Sequence, residues 1–271
     1  MSGIALVISD VDGTLVTTDK RLTERSRAAV AALRQRGVRF TVVSSRPPFG
    51  LRMLVEPLAL DQPMAAFNGC AIVTPALAPV EAHAIGAAAA RTALAFLGEH
   101  GVDAWLFTTR DWMVRDPKGA HVDHERHTVL TEPRIVADFT AYLDQAAKIV
   151  GVSDDFARLA ALEETARERL AGQASVVRSQ NYYLDITAPG IDKGVAVREL
   201  SAASGIPLGE TVTLGDMEND VSMFRQSAFS IAMGNAGDAV KREAKETTVS
   251  NDEDGFAAAV ERFILPRAGG A

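Results

Sequence analysis

The sequence predicts an α/β fold: a parallel sheet flanked by helices and interrupted by an α+β segment. Three observations carry that reading. Aliphatic runs alternate with helical-period segments near both ends of the chain, the pattern of βαβ units. Polar clusters close four of the predicted strands: Asp10/Asp12, Ser44/Ser45, Asn68 and Asp216/Asn219/Asp220. Between about residues 84 and 188 the rhythm changes to helices with hairpin strands.

Ala5-Leu6-Val7-Ile8 reads as a buried parallel strand, because both of its faces are apolar. Strand side chains alternate with a period of two, so Asp10 and Asp12 share a face if that geometry continues. Two carboxylates at the end of a buried strand repel each other and resist ionisation, so a compensating cation is expected. Thr23 caps a helix carrying Ala28, Ala29, Val30 and Leu33 at helical spacing, and Gly37 stops it. Val38–Val43 is the second strand, ending at Ser44-Ser45-Arg46-Pro47. A short helix precedes Pro57, and Met64–Phe67 is a third strand ending at Asn68-Gly69. Ala71–Val73 continues extended until Pro75 and Pro79 break it.

The inserted segment opens with an alanine-rich helix, Ala87–His100, ended by Gly101. Ala104–Phe107 and Trp112–Val114 are strands around the turn Thr108–Asp111, and Lys148–Val152 is another. Asp154 is the expected cap of a helix with Phe156, Leu159, Leu162, Ala166 and Leu170 on one face. Val176–Arg178 and Tyr182–Ile186 follow, joined through Gln180-Asn181, and Pro189-Gly190 marks the return. Asp192-Lys193-Gly194 then opens a helix reaching Ala203. Thr211–Leu214 is a strand ending at Gly215–Asp220, and a helix holds Met223 and Phe224. Ser230–Met233 is the next strand, and a last helix runs from Asp254 to Phe263. Residues 267–271 read as a frayed tail. The expected domains are a discontinuous core, 1–83 with 189–271, and an insertion, 84–188.

The chain has 271 residues and a formal net charge of −7, which argues against a nucleic-acid binder. An anionic substrate then needs local help from a metal ion or from placed cations. The single cysteine, Cys70, excludes an intramolecular disulfide, fits a reducing compartment, and reads as a small buried thiol. The first basic residue is Lys20, so no basic signal-peptide segment is expected. The longest apolar run, Ala84–Leu97, contains Arg91 and is too short to span a bilayer. The expected setting is cytoplasmic, as a monomer or small homo-oligomer, with neither nucleic acid nor membrane as partner.

In open α/β sheets the ligand crevice lies beyond the carboxyl ends of the strands, so the four clusters converge there. Their residue types fit magnesium and a phosphoryl group. Magnesium prefers carboxylate oxygens, water and phosphate oxygens, and Asp10 and Asp216 can ligate it while Asp12 offers its backbone carbonyl. Lys193 is a suitable cation beside a phosphate, and Ser44 offers a hydroxyl at a strand end. One aspartate can act as a nucleophile and form an aspartyl-phosphate, and a second can move the proton.

Asp10-Val11-Asp12-Gly13-Thr14, Ser44-Ser45-Arg46-Pro47, Lys193-Gly194 and Gly215-Asp216-Met217-Glu218-Asn219-Asp220 resemble the four motifs of the haloacid dehalogenase superfamily. Asn68-Gly69 and Ala232-Met233-Gly234-Asn235-Ala236 resemble its Cof-type (IIB) sugar-phosphatase branch, whose C2 cap matches the insertion. The resemblance implies a Rossmann-like parallel-sheet core with an α+β cap, and a magnesium-dependent phosphatase acting on a small phosphorylated metabolite. It implies Asp10 as nucleophile, Asp12 as general acid/base, and Ser44 and Lys193 on the phosphoryl oxygens. Ser45, Arg46, Asn68 and Asn219 would join them in binding substrate. Asp10, the Asp12 carbonyl and Asp216 would hold Mg2+, with Asp220 orienting the site from behind. The chain departs from the branch pattern in reading Ser44-Ser45-Arg46 where Thr-Gly-Arg is usual, and in placing Cys70 after Asn68-Gly69 where alanine is usual. Serine keeps the hydroxyl.

Two other readings share parts of this pattern: a sugar phosphomutase, and a non-catalytic metabolite-binding protein. His121, His124 and His127, with Asp123 and Glu125 among them, lie at histidine spacings of three and read as a solvated or substrate-facing cap helix rather than a metal site. That helix, Arg110 and Arg115 are candidate specificity contacts. Trp105 and Trp112 read as packing residues, and Asp185 as an exposed strand position. Arg34, Arg36 and the mixed charges from Lys241 to Glu246 read as solvated helix faces.

Overall fold

A computed structural model describes residues 3–269 of the chain. β1 (Leu6–Ser9), buried along its length, leads through α1 (Glu24–Gln35) to β2 (Arg39–Val42). The Thr23 hydroxyl accepts from the Ser26 N–H and starts α1 as expected. After α2 (Arg52–Val55) come β3 (Met64–Ala66), β4 (Ala71–Val73) and β5 (Pro79–Ala82). These three form an antiparallel sheet of their own, joined to the main sheet through a Val43–Ala65 bridge. So β3 sits beside the parallel sheet rather than in it. Pro79 does not break a strand but begins one, at an exposed edge where its missing N–H is no loss.

The insertion contains α3 (Ala87–Glu99), β6 (Asp103–Phe107), β7 (Trp112–Val114), α4 (Val122–Val129) and β8 (Arg134–Ile135). It continues with β9 (Lys148–Val152), α5 (Phe156–Arg169), β10 (Ser175–Gln180) and β11 (Tyr183–Thr187). Its strands form one sheet in the order β10-β11-β9-β6-β7-β8, antiparallel except for β7 with β8. Three expectations are corrected here. The cap of α5 is Asp155, which accepts from the Arg158 N–H, while Asp154 bonds His121. Phe156 is 47% exposed rather than on the packed face. Asp185 is 0% exposed, because β11 lies between two neighbouring strands and the insertion packs onto the core. β8 had no clear sequence signal.

The chain then returns through α6 (Lys193–Ser204), β12 (Thr211–Gly215), α7 (Val221–Phe224), β13 (Phe229–Ala232), α8 (Asp238–Glu243), β14 (Glu246–Thr247) and α9 (Gly255–Ala259). The main sheet is parallel, in the order β14-β13-β12-β1-β2. Its register sets Ser9 opposite Val42 on one side and Leu214 on the other. Asp10, Ser44 and Asp216 therefore leave the sheet at the same end. The charges from Lys241 to Glu246 do not share one helix face, since α8 ends at Glu243 and β14 begins at Glu246. The Ile4 N–H donates to the Arg267 carbonyl and Ile4 bridges Ala268, so this part of the tail is paired rather than frayed. The last two residues of the expected frayed tail, 270 and 271, lie outside the described residues.

One apolar cluster runs from Val7, Phe40 and Phe67 in the core to Trp105, Phe107 and Trp112 in the insertion. Phe67 and Phe107 meet edge to face across the junction, with ring centroids 6.1 Å apart. Trp105 and Trp112 pack as expected, 5.3 Å apart, and Cys70 is a buried free thiol. Among the described residues no helix is long and apolar enough to cross a membrane.

Candidate active site

The site is built where β1, β2 and β12 end. The Asp10 N–H donates to the Leu214 carbonyl at 2.9 Å, which continues the strand pairing by one residue and fixes where the side chain leaves the sheet. Lys193 is the first residue of α6, and Asp192 caps that helix by accepting from the Val195 N–H. From there the Lys193 Nζ reaches Asp10 Oδ1 and Asp220 Oδ1, each at 2.6 Å. Burial alone lowers the affinity of Lys193 for its proton, but Asp10 and Asp220 outweigh it and hold the ammonium above its ordinary pKa. Asp10 is pushed up to about 7, chiefly by burial, with Lys193 opposing and Asp220 adding.

Asp216 follows β12 and lies against the turn after β1. Thr14 Oγ1 donates to its Oδ1 at 3.0 Å, and Asn235 Nδ2 to its Oδ2 at 3.2 Å. Asn235 also donates to the Gly13 carbonyl at 2.9 Å and so ties the β13 end to the first motif. Gly13 has φ +83°, and a Cβ there would lie 2.3 Å from Asp216 Oδ2. Asp220 Oδ2 accepts from the N–H groups of Asp216 and Met217, both at 2.9 Å. Asp220 thus fixes both Lys193 and the loop carrying Asp216.

Carboxylate oxygens of Asp10, Asp216 and Asp220 come within 4.8 Å of one another. Burial, then the charges of Asp10 and Asp220, raise Asp216 well above its ordinary pKa. Three buried carboxylates share one ammonium, so the site carries excess negative charge. All-oxygen donors with that excess fit a hard divalent cation such as magnesium. Asp220 is the poorest ligand of the three, since one oxygen is held by the Lys193 ammonium and the other by two backbone N–H groups.

Asp12 faces another way. Its carboxylate takes the Arg46 Nε at 2.7 Å, the Arg46 Nη2 at 2.8 Å and the Lys20 Nζ at 2.8 Å. Burial would raise Asp12, but Arg46 and Lys20 outweigh it and hold the carboxyl well below its usual range. The same guanidinium donates from Nη1 to the Thr128 carbonyl of α4 at 3.0 Å, so Arg46 links Asp12 to the insertion.

The Ser44 Oγ accepts from the Arg46 N–H at 3.1 Å and its carbonyl accepts from the Asn68 N–H at 2.8 Å. Asn68 has φ +57° and donates through Nδ2 to Asp185 Oδ2 at 3.4 Å. Asn219 donates to Asn68 Oδ1 at 3.2 Å, so Asn219 and Asn68 meet each other beside the start of α6. The Ser45 carbonyl accepts from Lys148 Nζ at 3.1 Å, and Lys148 pairs with Asp185 at 2.9 Å. The structure therefore brings Asp10, Asp216, Asp220 and Lys193 into one group. Asp12, Arg46 and Ser45 line a cleft under the insertion, with Lys20, Glu125 and Lys148.

The sequence gives no local sign of Lys20 or the roles of Thr14 and Asn235, and it places Glu125 in the candidate cap helix and Lys148 in a strand without singling either out. Asn235 lies in the Ala232–Ala236 motif, but nothing local ties its amide to Asp216. Lys148 opens an otherwise apolar buried strand, and a lone cation there is the local sign of a buried acidic partner. In the histidine segment, His121 precedes α4 in a left-handed conformation and stacks on Tyr182, while His124 bonds the Tyr182 hydroxyl. The three histidines are not among the described groups whose geometry suits a metal.

A model of the haloacid dehalogenase-like hydrolase family matches residues 7–260. A pyridoxal phosphate phosphatase of Escherichia coli is 27% identical over 263 residues, covering 93% of this chain and 96% of its own. A 5-amino-6-(5-phospho-D-ribitylamino)uracil phosphatase of Bacillus subtilis is 26% identical over 263 residues, covering 97% and 96%. The structure of a haloacid dehalogenase-like hydrolase from Bacteroides thetaiotaomicron superposes with a TM-score of 0.84 at 26% identity, covering 96% of this chain and 99% of that one. A subclass IIB sugar phosphatase shares the fold, with a TM-score of 0.81 at 24% identity and coverage of 96% and 98%. The chain belongs to the haloacid dehalogenase-like hydrolase family, and it is a phosphatase of that family.

Proposed function

We propose that this phosphatase hydrolyses a small phosphomonoester, with a sugar phosphate as the leading candidate, through an aspartyl-phosphate on Asp10. The observation that carries the reading is the pairing of Asp10 with Lys193 in a buried acidic group beside Asp216. Asp10, Asp216 and the Asp12 carbonyl would hold Mg2+, which when bound neutralises the phosphoryl oxygens and the carboxylates around them.

Asp10 attacks phosphorus, the P–O bond to the leaving group breaks, and the leaving oxygen takes a proton from Asp12. Water then attacks the aspartyl-phosphate, gives its proton to Asp12 and frees Asp10 and phosphate. Lys193 and the Ser44 hydroxyl hold the phosphoryl oxygens. Asp12 is held ionised by Arg46 and Lys20, the form needed to receive the proton of the water. To give a proton it must first lose part of that pairing, and an arriving phosphate dianion competes for the same two cations.

The boundaries we assign are 1–83 with 189–271 for the catalytic core and 84–188 for the cap. The cap would close over the substrate and exclude bulk water. A cytoplasmic setting suits the single buried thiol. The test is phosphate release from a panel of phosphorylated metabolites, with and without magnesium. Turnover is expected only with the metal, and Asp10→Asn is expected to lower it by about a thousandfold or more. Undiminished turnover by that variant would sink the reading.

A further inference from the structure

The cleft between core and cap contains a carboxylate that the mechanism does not use. Glu125, on the inward side of α4, is 7% exposed and lines the cleft together with Asp12, Arg46 and Lys148. A carboxylate has about four acceptor positions. Among the described residues, the Tyr183 hydroxyl is the only donor to the Glu125 carboxyl, reaching Oε2 at 3.1 Å. The two buried cations of the cleft are committed elsewhere: Arg46 to Asp12, and Lys148 to Asp185. Burial pushes the Glu125 carboxyl up, and Lys148 and Arg46 only partly offset this. A buried carboxylate with one hydrogen bond and no cation in contact is costly. A donor entering the cleft would relieve it.

We propose that Glu125 is a specificity-determining residue: it accepts a hydrogen bond from a hydroxyl or ammonium group on the organic part of the phosphomonoester. The inference rests on the phosphatase reading and deepens it. Asp12, which protonates the leaving oxygen, lines the same cleft, so the group that meets Glu125 belongs to the leaving alcohol. A leaving alcohol that lacks a donor leaves the carboxyl unpaired on closure. One bearing a carboxylate there meets a like charge. Sites built to bond a donor discriminate strongly against analogues without it.

The test compares magnesium-loaded wild type with Glu125→Gln, which keeps the shape and an oxygen for Tyr183. The readout is the ratio of kcat/KM for a donor-bearing substrate to that for p-nitrophenyl phosphate, which has none. The donor-bearing substrates are a hexose 6-phosphate and 2-aminoethyl phosphate. We expect Glu125→Gln to lower that ratio about tenfold or more for at least one of them. The substrate with the larger fall tells a hydroxyl from an ammonium group. A ratio unchanged within about twofold for both, whatever the absolute rates, overturns the proposal. If wild type releases no phosphate from any substrate, the phosphatase reading has failed instead. Selectivity is then read from ligand-induced shifts in melting temperature, with hexose 6-phosphate against inorganic phosphate. A weaker preference for the sugar phosphate in the variant supports Glu125, and an equal preference overturns it.

Discussion

The chemistry of single residues here is set by charge imbalance. Asp10, Asp216 and Asp220 crowd around Lys193, and burial makes full ionisation of that group unfavourable. Asp10 rises from 3.8 to about 7, and Asp216 rises too. Without metal, the folded chain therefore keeps protons that the unfolded chain has released. The resulting contribution to stability is complete below the unfolded carboxyl pKa and is lost as pH rises through about 7. In chelator, the thermal midpoint is expected to fall between about pH 5 and about pH 8, and magnesium to restore it at the upper end. A midpoint independent of both pH and magnesium would contradict that charge balance. Most of this group was legible in the sequence, because Asp10 and Asp216 each follow a strand and Lys193 opens a helix, each within a contiguous motif. Asp185 was not legible. Its strand has neighbours on both edges and the core on one face, and no local pattern reports that second covering layer.

At the level of elements, the site depends on how closely two turns approach. The β12 strand ends in Gly215, where a Cβ would lie 2.4 Å from the Asp220 Cβ and 2.5 Å from its Cγ. Asp220 can grip Lys193 and the Asp216 N–H only because that methyl is missing. Gly215→Ala is expected to cost about 1–3 kcal/mol in chemical denaturation. It is also expected to lower phosphate release by about tenfold or more, since Lys193 loses its second partner. A fully active, fully stable variant would mean that Asp220 can move without consequence. The sequence marked the ends of the main strands well, since each stops in a polar cluster. It did less well where neighbouring residues compete for one role. Asp154 and Asp155 both suit a helix cap, and only the backbone direction gives the role to Asp155. The β3-β4-β5 sheet was hidden because its strands are short and one begins with proline.

For the whole molecule, the sequence rhythm changes between about residues 84 and 188, and one sheet holds every strand from β6 to β11. What the sequence did not announce is how the insertion rests on the core. Apolar strand faces read alike whether they pack within a domain or against another. Phe67 and Phe107 meet at that junction, and Trp112 stacks on Phe107 with centroids 6.0 Å apart. If the cap opens to admit substrate, this aromatic surface meets water. Opening then carries a positive heat-capacity change, so its free energy varies with temperature along a curve rather than a line. Cooling weakens the hydrophobic hold on the closed state. Plots of the logarithm of kcat/KM against reciprocal temperature are therefore expected to bend, and Phe107→Ala to straighten them. A cap that opened along this aromatic seam would be a thermal device as well as a steric one.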